Sequence, residues 1–591
     1  MTDTIPSRLF QQAKKAPSKA AYYVREGTGW TPTTWLEYAR EVRRAGKALV
    51  ALGVEPGQTV GILGFNRPEW IVADVAAMCV GAAPAGIYTT CSAEEVQYIL
   101  GHAQSPVVFV ENEHQWQKIQ AERERLPELK YVVTMRGAPE IDDPQVLSWE
   151  AFLEKSDKSE EQTFDDRLGA LQPDGLATLI YTSGTTGPPK GVMLSHANLA
   201  WTAATAVHMV SANGSDSSLS YLPLSHIAEQ MFSIHAPITA GYAIYFAESI
   251  ERVPENLKEV QPTIFFGVPR IWEKFHAGIQ ANIAQATGFK KLVVQFATST
   301  GREVAQQVQA GQPISGLLAL KYKLANKLVY SKLKPAVGLG NARVCVSGAA
   351  PIAKGILEFF ASLDIYVLEV YGQSEDSGPT TFNQPSRVLL GSVGPRVPGV
   401  EVELAEDGEI LVKGPNVFLG YYRDEEATQA ALTDGWLHSG DLGSFDKNGF
   451  LHITGRKKDI IITAGGKNIA PKNLENDLKT HPLVHEAVVV GDRRKFLSVL
   501  VTLDPEAAGA WAERHARSTD ALHEDGDVLA EVQKAIDELN TKVARVEQLK
   551  KFTILPRPLT IEHGELTPTL KVKRNKVAEH FSNEIENMYA E

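Results

Sequence analysis

Residues 181–191 read YTSGTTGPPKG, a run of hydroxyls, glycines and one lysine suited to surrounding an oxygen anion. Glycines permit tight backbone turns, and N–H groups exposed in such turns line a concavity for phosphate oxygens. Thr182, Ser183, Thr185 and Thr186 add hydroxyl donors, Gly184 and Gly187 the turns, and Lys190 a mobile positive charge. The order is not that of the G-x-x-x-x-G-K-[ST] phosphate loop, because Pro189 precedes Lys190 and Gly191 follows it. Composition alone leaves an ordinary flexible loop open beside the phosphate cradle.

Such a loop needs rigid elements on either side. The apolar run LATLI precedes it as a strand, and GVMLSHANLA after it is expected to start a helix. Residues 35–52 carry apolar side chains at helical spacing, and GVEPGQTVGILG follows as a turn and short strand. EWIVADVAAMCVGA reads as the next helix, with PVVFVE, YVVTM, LATLIYT and YAIYF continuing the strands. This alternation predicts an α/β body. From about residue 390 the texture becomes short, Gly-punctuated strands with helix nearly absent, a small β subdomain over about 390–455. Beyond Arg456 come DIIITAGG, the helix candidate PKNLENDLKTH, the strands VHEAVVVGD and FLSVLVTLD, a charged helix around 526–548, and a polar, basic tail. The expected division is 1–456 and 457–591.

A chain of 591 residues is too long for one core, so two or more domains are expected. Cys79, Cys91 and Cys345 are few and far apart, which argues against a disulfide scaffold or a cysteine metal site and for a reducing compartment. The N-terminal MTDTIPSRLFQQAKKAPSKA has no signal-peptide apolar run, and IVADVAAMCVGAAPAGIY at 71–88 is too interrupted for a span. A net charge of -12 excludes a broad nucleic-acid surface. The expected location is cytoplasmic, with peripheral contact on the inner face of a membrane left open.

The loop resembles the phosphate loop of the adenylate-forming superfamily, which includes acyl-CoA synthetases, luciferases and peptide-synthetase adenylation domains. Further stretches occur in that family's order: LPLSHIAEQ at 222–230, SGAAP at 347–351, VYGQSE at 370–375, GWLHSGDLG at 435–443, GRKKDIIITAGGKNIAP at 455–471 and LTPTLKVKR at 566–574. The resemblance implies a large α/β N-terminal domain, with its β subdomain, and a smaller mobile α+β C-terminal domain. It also implies a two-step reaction, in which carboxylate and ATP give acyl-adenylate and pyrophosphate, and a thiol then displaces AMP.

By the same resemblance Thr182 and Glu375 sit at Mg²⁺, and a carboxylate is a suitable hard-oxygen ligand for it. Lys571 matches the catalytic lysine, whose ammonium can stabilise the attacking carboxylate and the crowded α-phosphate. Leu570 stands where the family often has glycine, and Lys573 is the neighbouring candidate. Asp441 matches the acid that holds the ribose diol, with Arg456 assisting at the ribose or phosphates. Tyr371 and the backbone of Gly348, Ala349 and Ala350 are implied to flank adenine, beside Gly372, Gln373 and Ser374. Lys458 aligns with the hinge, and Gly465, Gly466 and Lys467 with a loop that approaches the CoA channel. His226 is implied to be a gate or wall of the acyl pocket rather than a general base.

The long segment 275–340 resembles that of long-chain fatty-acyl-CoA synthetases, and its amphipathic character suits an acyl tunnel wall or contact with a bilayer. The expected partners are therefore a long-chain fatty acid, ATP with Mg²⁺, and coenzyme A. A GGxS carrier site is not seen after residue 575, which favours CoA as acceptor. A fatty-acyl-AMP ligase serving a carrier protein is the enzymatic alternative, and a non-catalytic ATP sensor or interaction protein the alternative of another class. No G-x-G-x-x-G opening a strand–helix unit supports a nicotinamide enzyme.

Overall fold

Thr34 and Glu37 exchange capping bonds at the start of helix Trp35–Ala51, whose apolar positions turn inward. Helix Pro68–Cys79 is buried at every position after the first, which accounts for its mostly apolar sequence, and strand Ala83–Ile87 follows. Among the described residues no helix is long and apolar enough to cross a membrane. The computed structural model describes residues 2–182, 187–567 and 569–590.

The large domain is built on four sheets. In the eight-stranded one, Leu176–Thr182 lies parallel to Ala83–Ile87 on one side and antiparallel to Lys190–Ser195 on the other. Strand Gly420–Tyr421 pairs with Lys190–Ser195 and completes that edge. The stretch GVMLSHANLA is therefore strand as far as Ser195, because its apolar residues pair with LATLIYT. The helix begins only at His196, where Ser195 and Asn198 form a capping box. A second sheet holds Ala20–Glu26 between Gly29–Thr34 and Ala243–Phe246. In a third, Ile264–Gly267, Val344–Ser347 and Val367–Tyr371 run parallel, and antiparallel Thr381–Phe382 closes it. Strands between Glu401–Leu404 and Leu451–Arg456 then form an antiparallel sheet with one short helix, Glu425–Ala431.

The C-terminal domain is α+β. Val484–Val490 and Leu497–Leu503 are antiparallel, and Leu549–Ile554 adds a parallel strand. The charged helix ends at Asn540, short of the expected 548. The Asn540 side chain there bonds both the N–H and the carbonyl of Leu549 and turns the chain into that strand. The tail expected to be merely polar and basic is folded: helices Arg574–His580 and Ser582–Tyr589 anchor Val577, Phe581 and Met588 against Leu500 and Leu559. Apolar clustering runs to Ile453 in the large domain and resumes at Ile461, so no cluster of described residues spans the junction. All three cysteines are free and buried.

Candidate active site

Thr182 stands at the end of its strand, directly paired with Lys190 across the sheet, and its hydroxyl faces the Lys190 carbonyl at 3.4 Å. Ser183, Gly184, Thr185 and Thr186 lie outside the described residues. Gly187 has φ +87°, a left-handed turn that suits glycine. Lys190 holds its ammonium 4.8 Å from the Tyr421 ring centre and 3.8 Å from Asp424. The Tyr421 hydroxyl in turn donates to Glu375 Oε1 at 2.8 Å. Strand pairing thus joins the base of the loop to Glu375 through Tyr421, a residue that sequence reasoning missed. Its role comes from its place opposite Val192 in the sheet, and no local pattern announces it.

Glu375 is the middle residue of a single tight turn, Ser374–Asp376, that follows strand Val367–Tyr371. Gly372 before it is obligatory, since a Cβ there would lie 1.5 Å from the Gly378 carbonyl oxygen. Gly348 is similarly confined, with Val370 2.6 Å from where its Cβ would stand. Ala349 follows with φ +67° and Ala350 is exposed, so the SGAAP backbone turns sharply at the end of its strand. Ser374 is buried, and the Gln373 amide nitrogen Nε2 is buried without a hydrogen-bond partner among the described residues.

Opposite these groups, Asp441 and Arg456 face each other on neighbouring strands, Nε to Oδ1 at 3.4 Å. The Tyr371 hydroxyl donates to Asp441 Oδ2 at 3.0 Å. Burial raises the Asp441 carboxyl above its ordinary value, while Arg456, Tyr371 and Lys571 pull it back. Burial holds Tyr371 well above the usual phenol value, so it remains a hydrogen donor.

Lys571 enters from the other domain. Leu566 and Val572 form an isolated bridge, and Thr567 bonds both the N–H and the carbonyl of Lys571, so a tight loop presents the side chain. Leu570 at its tip has φ +60°, a region that favours glycine, which is the residue the family often carries there. The Lys571 side chain is exposed to water in the cleft yet walled by both domains. Desolvation, Arg456 and Lys472 lower its pKa, and Asp441 and Glu375 oppose them. Lys573 behaves differently: its N–H bonds the Glu565 carbonyl and it stands at the start of helix Arg574–His580. Arg574 is tied to Glu475 at 2.5 Å. Arg270 of the large domain clasps Asp504 of the small one at 2.6 Å, a contact also invisible in sequence.

His226 caps helix Ile227–Gln230, its Nδ1 accepting from the Ala228 N–H at 3.1 Å. Burial, with Lys571 adding repulsion, pushes it down to about 4. It is neutral near pH 7 with its proton on Nε2, a state suited to a wall that donates rather than to a base. Behind it lies a narrow cavity lined almost wholly by apolar groups, including Val207, Met231, Phe232, Phe266 and Val346, with Ala349, Gly372 and Gln373 at its polar side. The volume open to the centre of a water molecule is about 100 Å³. None of its lining comes from 275–340, so that segment does not wall this cavity.

Lys458 lies in the turn Lys457–Asp459 between the domains, and its neighbour Lys457 is paired to Asp407 and Glu409. Gly465, Gly466 and Lys467 form an exposed turn where the Lys467 N–H bonds Thr463 Oγ1. They are not brought to the cavity in this arrangement. For Mg²⁺ the described residues offer no cluster of three acidic, His or Cys ligands. One carboxylate still fits, because Mg²⁺ keeps several waters and takes much of its shell from substrate phosphates. Glu375 Oε2 has no hydrogen-bond partner among the described residues and is available for that role.

Residues 9–422 match the family described as AMP-binding enzyme, and 458–591 the AMP-binding enzyme C-terminal domain. The long-chain-fatty-acid–CoA ligase FadD15 of Mycobacterium tuberculosis is 38% identical over 99% of this chain and 97% of its own. The long-chain-fatty-acid–CoA ligase ACSBG2 of Xenopus laevis is 38% identical over 98% of this chain and 83% of its own. Among solved structures, ATP-bound MatB from Rhodopseudomonas palustris shares the fold with TM-score 0.72 at 23% identity, covering 99% of this chain and 100% of its own. The adenylation domain of a Mycobacterium chelonae carboxylate reductase gives 0.76 at 21%, covering 100% and 91%. With both halves matched in order, over 9–422 and 458–591, the chain belongs to the AMP-binding family of adenylate-forming enzymes.

Proposed function

We propose that the chain activates a long-chain fatty acid with ATP and passes the acyl group to coenzyme A, releasing AMP and pyrophosphate. The observation that carries the chain-length reading is the apolar cavity bordered by His226 and Gln373, beside the charged groups, and lined further on by Phe232, Phe266 and Val346. Each methylene buried there contributes about 0.8 kcal/mol, so length is recognised without polar contacts. The curated relatives described above, named as ligases for long-chain fatty acids, support the same class.

In the first step a carboxylate oxygen attacks the α-phosphorus, the bond to the β-phosphate bridging oxygen breaks, and pyrophosphate leaves. Lys571 balances the negative charge that gathers as two anions meet. Asp441 accepts from the ribose hydroxyls, Arg456 sits between ribose and phosphates, Tyr371 and the Gly348–Ala350 backbone flank the base, and the 182–190 loop holds the outer phosphates. Gly372, Gln373 and Ser374 line the floor between nucleotide and acid. Mg²⁺ at Thr182 and Glu375 would neutralise phosphate charge. In the second step the thiol sulfur bonds the acyl carbon, the acyl–phosphate oxygen bond breaks, AMP departs, and the thiol proton goes to solvent. We assign Lys458 as the pivot that withdraws Lys571 and brings Gly465, Gly466 and Lys467 toward the thiol, so that 1–456 and 457–591 move as two bodies.

The test is mass spectrometry of ATP- and CoA-dependent products with free acids from acetate to stearate and with aryl acids. A maximum of acyl-CoA at long chains is expected. Acyl-adenylate without acyl-CoA would redirect the second step to a carrier protein, and an aryl preference would overturn the long-chain assignment.

A further inference from the structure

Twelve large apolar side chains stand exposed among the described residues, and six of them fall between 289 and 328. Four lie on one helical run, which is continuous from Gly316 to Ala336 through a π-helical turn at Asn326–Tyr330. They are Leu317, Leu320, Leu324 and Leu328, spaced three, four and four residues apart, so they form one stripe along the run. Its other side is spoken for: Tyr322, Ala325, Val329 and Tyr330 pack with Phe296 and Ala297 of helix Gly288–Gln309 into a small core of their own. The Tyr330 hydroxyl bonds the Ala297 carbonyl at 2.6 Å and Tyr322 bonds Asp364 at 3.0 Å, which fixes the stripe outward. Phe289 and Leu292 on the companion helix are 80% and 63% exposed.

The charge of this hairpin opposes that of the molecule. Within 288–334 there are eight basic residues and one acidic residue, Glu303, in a chain of net charge -12. Lys321 pairs with Glu303 and Lys334 with Asp364. Lys290, Lys291, Lys323, Lys327 and Lys332 have no ion-pair partner among the described residues. Helical spacing puts Lys323 and Lys327 along one flank of the leucine stripe and Lys321 along the other. An apolar stripe bordered by unpaired lysines matches a surface of hydrocarbon beneath anionic headgroups. A protein partner of ordinary composition offers no such sequence-independent complement.

We propose that this hairpin docks the protein on an anionic lipid bilayer, with the leucine stripe lying in the headgroup boundary and the flanking lysines on lipid phosphates. Docking does not depend on the acid chemistry proposed above, since no residue of the hairpin lines the cavity.

The experiment is co-sedimentation of the full chain with phosphatidylcholine vesicles, with and without phosphatidylglycerol. Binding to the anionic vesicles is expected, weakening as salt is raised. A triple variant, Leu317→Ser, Leu320→Ser and Leu324→Ser, should lower the partition coefficient at least about tenfold. Lys290→Gln, Lys291→Gln, Lys323→Gln and Lys327→Gln together should lower it at least about a hundredfold. Thermal melting checks that both variants fold, and sedimentation reads docking without any turnover, so it is separable from failure of the ligase reading. Equal binding to neutral and anionic vesicles, no binding, or variants that bind as the wild type would overturn the proposal. So would a leucine variant that dissociates an oligomer while keeping its vesicle binding, which would make the stripe a contact between copies.

Discussion

Replacing Lys571 with methionine keeps an unbranched apolar stem and removes only the ammonium. The loop that presents it is held by backbone bonds to Thr567, which the substitution leaves in place. Two unit charges 4 Å apart at an effective dielectric of about 20 interact by about 4 kcal/mol, and loss of one donor at a developing charge costs about 10²–10³ in rate. Arg456 and Lys472 leave positive charge behind in the same cleft, and cleft water screens Lys571, so the lower end, about a hundredfold, is expected. The assay is single-turnover pyrophosphate release, run beside conversion of supplied acyl-adenylate and CoA to thioester. The second reaction should stay within about threefold of wild type, because Lys571 has no charge to neutralise there. Lys573→Met is the register control and should leave both half-reactions within about threefold. An equal loss in both half-reactions, or a larger loss at Lys573, would refute the assignment.

Tyr421→Phe deletes the 2.8 Å hydrogen bond that orients Glu375, and should raise the Mg²⁺ concentration for half-maximal adenylation about tenfold with little change at saturation. An unchanged Mg²⁺ titration would remove Tyr421 from the site. Arg270→Ala breaks the interdomain clasp to Asp504, a half-exposed pair worth about 0.5–1 kcal/mol, and should slow adenylation about two- to fivefold while sparing the thioester step. Burial pushes the Glu369 carboxyl up to about 8, so its neutral form is the one the fold prefers. Its contribution is complete below the ordinary value of 4.5 and is lost as pH rises toward about 8. Glu369→Gln should therefore match wild type near pH about 4.5 and exceed it by on the order of 4 kcal/mol near pH about 8, read by urea unfolding. Parallel pH profiles would contradict this.

The parts of the molecule legible in sequence are those whose information is local. Helical spacing marks Trp35–Ala51, and short motifs mark the turns at Gly348, Gly372 and Gly187, where backbone geometry demands small residues. Tyr421 and Arg270 were not legible, because each acts through a partner that only the assembled sheets or the docked domains supply. The last strand was missed for a similar reason. LKKFTI carries two lysines and becomes a strand only by lying parallel to Leu497–Leu503, while the helices after it hold on through a few anchors such as Val577 and Phe581. Leu570 shows the converse. The departure from the family's glycine is visible in sequence, and the structure shows that the left-handed backbone persists without it, at a cost of about 1–3 kcal/mol.

The break in apolar clustering between Ile453 and Ile461 has a thermodynamic meaning for the movement proposed for the two domains. A rotation that uncovers little hydrocarbon carries a small heat-capacity change, so the balance between arrangements varies only gently with temperature. What decides that balance is a handful of polar contacts such as Arg270–Asp504, and these are weakened by dissolved ions. The two postures proposed for the enzyme would in this sense be tuned by ionic strength rather than by heat, while each domain keeps its own cold-and-hot stability curve.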